Sequence, residues 1–110
     1  MATLKLFTVA AALTAVLAGC MPVPVDPALK TATASELQDR ARFACVRTQA
    51  RFQNVSASSV AAPCACYARR TMRALSAEEV QAFRDTAVFN DSARAKALAA
   101  IDRCGLKRPI

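Results

Sequence analysis

Apolar residues recur every three to four positions over most of the chain after Ser35, and no useful stretch alternates with a period of two. That spacing predicts helices, because ~3.6 residues per turn return a side chain to the same face. The first predicted helix runs from about Glu36 to Phe52. Leu37, Ala41, Ala44, Cys45, Thr48 and Phe52 share one face of it, and Arg40, Arg47 and Arg51 share another. Ser35 with Gln38 reads as its capping box, and Thr33 with Glu36 is an overlapping option. Gln53 to Ser56 then turns the chain. A second helix lies within Ala57 to Leu75. Cys64, Tyr67, Ala68, Thr71 and Leu75 share its inner face, and Arg69, Arg70 and Arg73 point largely away. Pro63 leaves two readings open. Either it opens the helix as a first residue, or it sits inside one longer, kinked helix. Ser76 with Glu79 forms a second capping box, and the third helix turns Val80, Phe83 and Ala87 inward. Asn90 or Asp91 caps a fourth helix, with Ala93, Ala97, Ala100, Ile101 and Cys104 as its inner stripe and Gly105 as its stop. Phe89, just before that cap, is placed for a hydrophobic staple. The fold class expected is all-α: a small bundle of about four short helices in two helical hairpins.

The chain before Ser35 has a different character. Pro22, Pro24 and Pro27 fall close together in Met21 to Ala34, a stretch that reads as an extended, semi-stiff tether. Ahead of it stands MATLKLFTVAAALTAVLAGC. Lys5 and the amino terminus make a short positive region, Leu6 to Val16 an apolar core, and Leu17-Ala18-Gly19-Cys20 a small-residue end. This is the composition of a removable export signal. The apolar run is shorter than the ~20 residues that cross a bilayer. Leu17-Ala18-Gly19-Cys20 resembles the lipobox of bacterial lipoproteins. That resemblance implies cleavage between Gly19 and Cys20 and a covalent lipid on Cys20. It also implies attachment to the cell envelope facing the periplasm. Met21, where an aspartate often marks inner-membrane retention, favours the outer membrane. The expected organisation is therefore 1–19 signal, 20–34 lipidated cysteine and tether, and 35–110 helical domain.

Five cysteines are present. With Cys20 assigned to lipid, Cys45, Cys64, Cys66 and Cys104 remain. An even number in a small exported domain reads as a disulfide framework with three possible pairings. On a helix Cys64 and Cys66 point about 200° apart, so a bond between them is disfavoured. The same opposition makes the second helix the central element. Folding the first helix back over the turn brings Cys45 level with Cys64 and Cys66. Cys45 and Cys104 are each expected to pair with one of the two. The competing reading is a soft-metal site for copper or zinc built on Cys64 and Cys66.

Charge and inventory narrow the function. Lys and Arg total 15 against 8 Asp and Glu, for a formal charge of +7, and the leader holds only Lys5 of these. Export argues against nucleic acid as the counterpart and in favour of an envelope protein or an anionic envelope polymer. Arg40, Arg47, Arg51, Arg69, Arg70 and Arg73 are the candidate basic face. There is no His to activate a serine or thiol. Tyr67 reads as a core residue, and Glu78 and Glu79 as first-turn helix acids. No catalytic residue, metal ligand set, cofactor or small-molecule substrate is expected beyond the lipid on Cys20. The leading function is a non-enzymatic binding or structural module at the membrane. A lipoprotein subunit of a secretion or conjugation machine is the alternative, and that role predicts an apolar patch on the body.

Overall fold

Residues 26–109 are described by a computed structural model. The signal, Cys20 and the first part of the expected tether lie outside the described residues. Five helices follow in order: α1 (Pro27–Lys30), α2 (Ala34–Gln53), α3 (Ala57–Ala74), α4 (Ala77–Thr86) and α5 (Asp91–Arg103). No strand occurs among the described residues. The fold is all-α and carries two disulfides.

Caps fix where the helices begin and end. Of the two overlapping options at the start of α2, Thr33 is the one used. Its hydroxyl accepts the Glu36 N–H at 3.2 Å, so α2 starts two residues earlier than expected. Asn54 closes α2 in the left-handed region at φ 55°, and the Val55 N–H reaches back to the Ala50 carbonyl at 3.0 Å. An asparagine tolerates that conformation better than most residues do. Gly105, at φ 72°, plays the same part for α5, with the Leu106 N–H on the Ile101 carbonyl at 3.1 Å. Ser76 and Glu79 complete the capping box of α4. Asn90, not Asp91, caps α5.

Helix α3 is continuous through Pro63, the second of the two sequence readings. A proline there cannot donate to the Ser59 carbonyl. The helix survives because its buried face holds on both sides of the proline, with Val60 before it and Cys64, Ala68 and Thr71 after it. Packing partners make α3 the centre: α2 lies along it on one side and α5 on the other. Cys45 bonds to Cys64 and Cys66 to Cys104, so each neighbour is stapled to α3 once. The main core gathers Cys45, Val60, Cys64, Ile101 and Leu106. Gln49 then ties the carboxy-terminal tail back to α2. Its amide donates to the Lys107 carbonyl at 2.6 Å and its oxygen accepts the Lys107 N–H at 3.4 Å.

The expected boundary between tether and domain is corrected. Asp26 to Ala34 belongs to the folded body. Asp26 caps α1 through the Ala28 N–H, with Pro27 in the first turn, where its missing N–H costs nothing. Leu29 is 1% exposed and packs with Ala32, Leu37 and Phe83 in a second core. Arg84 Nε donates to the Ala32 carbonyl at 3.1 Å. A proline count reads as stiffness, but Pro27 here starts a helix. Two further expectations change. Ala87 does not turn inward; it is the exposed left-handed cap of α4, at φ 63°. Phe89 makes no staple, because Arg94 occupies the position it would meet. It packs instead on Phe83, with ring centroids 4.7 Å apart. The first hairpin, α2 with α3, forms as expected. In the second, α4 packs on α1 while α5 packs on α3.

Sequence separations of 19 and 38 residues give staples worth about 3 and about 4 kcal/mol in the chain-entropy model. The C66S/C104S double variant should lose about 4 kcal/mol in urea unfolding. C45A/C64A should lose more than the shorter loop alone implies, because both sulfurs are buried. Leu29→Ala should cost about 2–5 kcal/mol. A neutral Leu29→Ala would return α1 to the tether.

Candidate functional site

Helices α2 and α4 are not close packing partners, and a concavity opens between them. It is an open groove of about 750 Å³. Buried Leu29, Ala41 and Phe83 form its base. Along α2 it is bounded by Phe43, Ala44 and Val46, and across from them by Ala87, Val88 and Phe89. Tyr67 reaches it from α3. Phe43 and Val88 stand at its edge with 56% and 64% of their surface exposed.

The charged residues at this groove are basic: among the described residues, Arg40 and Arg47 line it and no aspartate or glutamate does. Arg40 donates to the Asp26 carboxylate at 2.8 Å. That bond, helped by the Ala28 N–H, holds the Asp26 carboxyl below its ordinary range. Arg42 places its guanidinium 4.5 Å from the centre of the Phe43 ring and lies 3.6 Å from Asp39. Arg47 has no acidic partner among the described residues. Burial pushes the Tyr67 phenol up, so it stays protonated at neutral pH.

The expected basic face divides. Arg40, Arg47, Arg51, Arg69, Arg70 and Arg73 are all exposed. Only Arg40 and Arg47 come to the groove. Arg69, Arg70 and Arg73 lie on the flank of α3 opposite Cys64 and Ala68, as their spacing predicts. Sequence reasoning missed Leu29, Phe43, Val88 and Phe89 as groove residues. A signal for Phe43 was present: it is a large aromatic away from the apolar stripe of its own helix, among arginines.

The chain matches no protein-family model and is similar to no curated protein or solved structure in the comparisons.

Other candidate chemistry has structural explanations. The sulfurs of Cys45, Cys64, Cys66 and Cys104 are all in disulfides, so in this state they offer no thiolate to a metal. Glu79 is buried at 5% exposure and joins α4 to α5. Its carboxylate accepts Lys96 Nζ at 2.6 Å, the Ser92 hydroxyl at 2.7 Å and the Ser76 N–H at 2.7 Å. These bonds, led by Lys96, pull its pKa down to about 2. A carboxyl so acidic is ionised at neutral pH and is no general acid there.

The Glu79 shift also sets a pH dependence. The folded carboxyl titrates at about 2 and the ordinary one at 4.5, so the unfolded chain takes up the proton first. Stability from this group is complete above about pH 4.5 and is lost as pH falls to about 2. Urea midpoints followed through that window should fall more steeply for the wild type than for E79Q. Parallel curves would show that Glu79 contributes no such linkage.

Proposed function

We propose that this chain is a small bacterial envelope lipoprotein. Cys20 carries the lipid, and the helical body is a non-enzymatic binding module held at the membrane. The reading of Cys20 rests on Leu17-Ala18-Gly19-Cys20 at the end of an export signal. The binding role is carried by one observation: an open apolar groove edged by Phe43 and Val88, with Arg40 and Arg47 and, among the described residues, no acidic residue in its lining. Such a surface suits a ligand that is apolar along its length and negative at one end or edge. The outer membrane, facing the periplasm, is the location this reading assigns.

The subunit reading has its own support. Phe52 and Val55, exposed at 47% and 41%, lie at the α2–α3 turn outside the groove, and apolar surface of this kind marks contacts with other proteins. The soft-metal reading loses ground to the two disulfides.

Intact mass of the protein extracted from bacterial membranes, after alkylation under denaturing conditions, tests the anchor and the staples together. The expected mass begins at an acylated Cys20 and carries no alkyl group on the other four cysteines. A retained leader or an unacylated Cys20 overturns the lipoprotein reading, and alkylated thiols restore the metal reading. Size after mild detergent extraction separates the two roles. A large complex that dissociates in F52S/V55S identifies a machine subunit.

A further inference from the structure

We infer that the groove face is the face that rests on the membrane, and that the groove receives an acyl chain of an anionic phospholipid beneath the arginines. The inference deepens the reading above and rests on Cys20 being the anchor.

Chain geometry comes first. Asp26 is bonded to Arg40, a residue of the groove wall. Cys20 lies six residues before Asp26 in the sequence. A trans peptide chain spans at most ~3.6 Å per residue, so the anchor stands within about 20 Å of that corner of the groove. Helix α2 alone, with 20 residues, is about 30 Å long. A tether shorter than the body's main helix keeps this corner close to the bilayer. Held there, the groove meets lipid at high effective concentration before it meets any soluble partner.

Surface chemistry agrees. A lipid tail needs only apolar contact, and the groove supplies it through Leu29, Phe43, Phe83, Val88 and Phe89. Its open volume of about 750 Å³ falls within the size range of ligand clefts. Phe43 and Val88 are the exposed apolar pair that an interfacial surface presents. Arg47, without an acidic partner, and Arg42, over the Phe43 ring, stand at headgroup level when Phe43 enters the acyl region. A phosphate group then takes the charge of Arg47, since Arg40 is already paired with Asp26 and Arg42 with Asp39.

The chain contains no tryptophan, so F43W carries a single indole at the groove edge. F52W carries one on the same helix outside the groove. Both are made in the mature chain with C20S, which has no acyl group of its own. Each is titrated with vesicles of phosphatidylcholine alone and of phosphatidylcholine mixed with phosphatidylglycerol. The expected result is a blue shift of F43W with the anionic vesicles only, and no shift of F52W. Adding R47Q to F43W should weaken partitioning about fivefold, the share of one basic side chain near an anionic surface. An F43W unmoved even in large excess of anionic vesicle lipid, which replaces the tether's effective concentration, overturns the inference and leaves the groove to a protein helix. So does an equal shift at positions 43 and 52, which is unspecific adsorption, or an equal shift with neutral vesicles. Because C20S removes the anchor, these outcomes are independent of whether Cys20 is acylated, which the mass measurement decides separately.

Discussion

The two cysteines of Cys64-Ala65-Cys66 project from opposite sides of one helix, and the rest of the architecture depends on that opposition. Each sulfur binds a different neighbour, so α3 is fixed between α2 and α5 by covalent geometry as well as by packing. The need is plain from the core. Among the described residues, six of its buried apolar members are alanines, so burial alone stabilises a body of this size modestly. Staples on both flanks raise the free energy of the unfolded chain and leave the small core less to do.

Polar clamps hold what the staples do not reach. Glu79 receives donors from Lys96, Ser92 and the Ser76 backbone and so joins the starts of α4 and α5. Gln49 holds the tail through both backbone groups of Lys107. Arg84 and Arg40 hold α1 at its two ends. A buried carboxylate or amide is stabilising only when its hydrogen bonds are met, and these are met by elements distant in the sequence. They therefore act as fasteners between segments that share little apolar surface. Between α2 and α4 no such fastener intervenes, and there the groove stays open.

The local part of this fold was legible in the residues. The capping box at Ser76, the glycine stop at Gly105 and the periodic stripes of α3 and α5 follow from backbone hydrogen-bonding needs and the helical repeat. The α2 stripe holds only at Leu37, Ala41 and Cys45: Ala44, Thr48 and Phe52 are exposed, and Gln49 takes the buried position. The division of the cysteines between two partners followed from angles alone, but which cysteine takes which partner needed three-dimensional register. Helix α1 was hidden because a four-residue helix has no periodicity to read, and its place depends on Leu29 meeting Leu37 and Phe83. The groove was hidden for the same reason. Its residues come from separate elements, and only Phe43, apolar on an arginine-rich flank, departs visibly from its surroundings.

The order of the bonds along the chain has a consequence for assembly. Cys45 joins Cys64, and Cys66 joins Cys104, so the first sulfur meets the second and the third meets the fourth. Neither loop encloses or crosses the other. A chain threading into an oxidising compartment from its amino end presents Cys45 and then Cys64 while Cys104 is still behind. An oxidant that joins thiols as they arrive reaches the native set directly, closing the α2–α3 hairpin before α5 emerges. The crossed arrangement, Cys45 with Cys66 and Cys64 with Cys104, would have needed Cys64 to wait. If the chain is exported as proposed, this topology would let it mature in the order in which it emerges, without a reshuffling step.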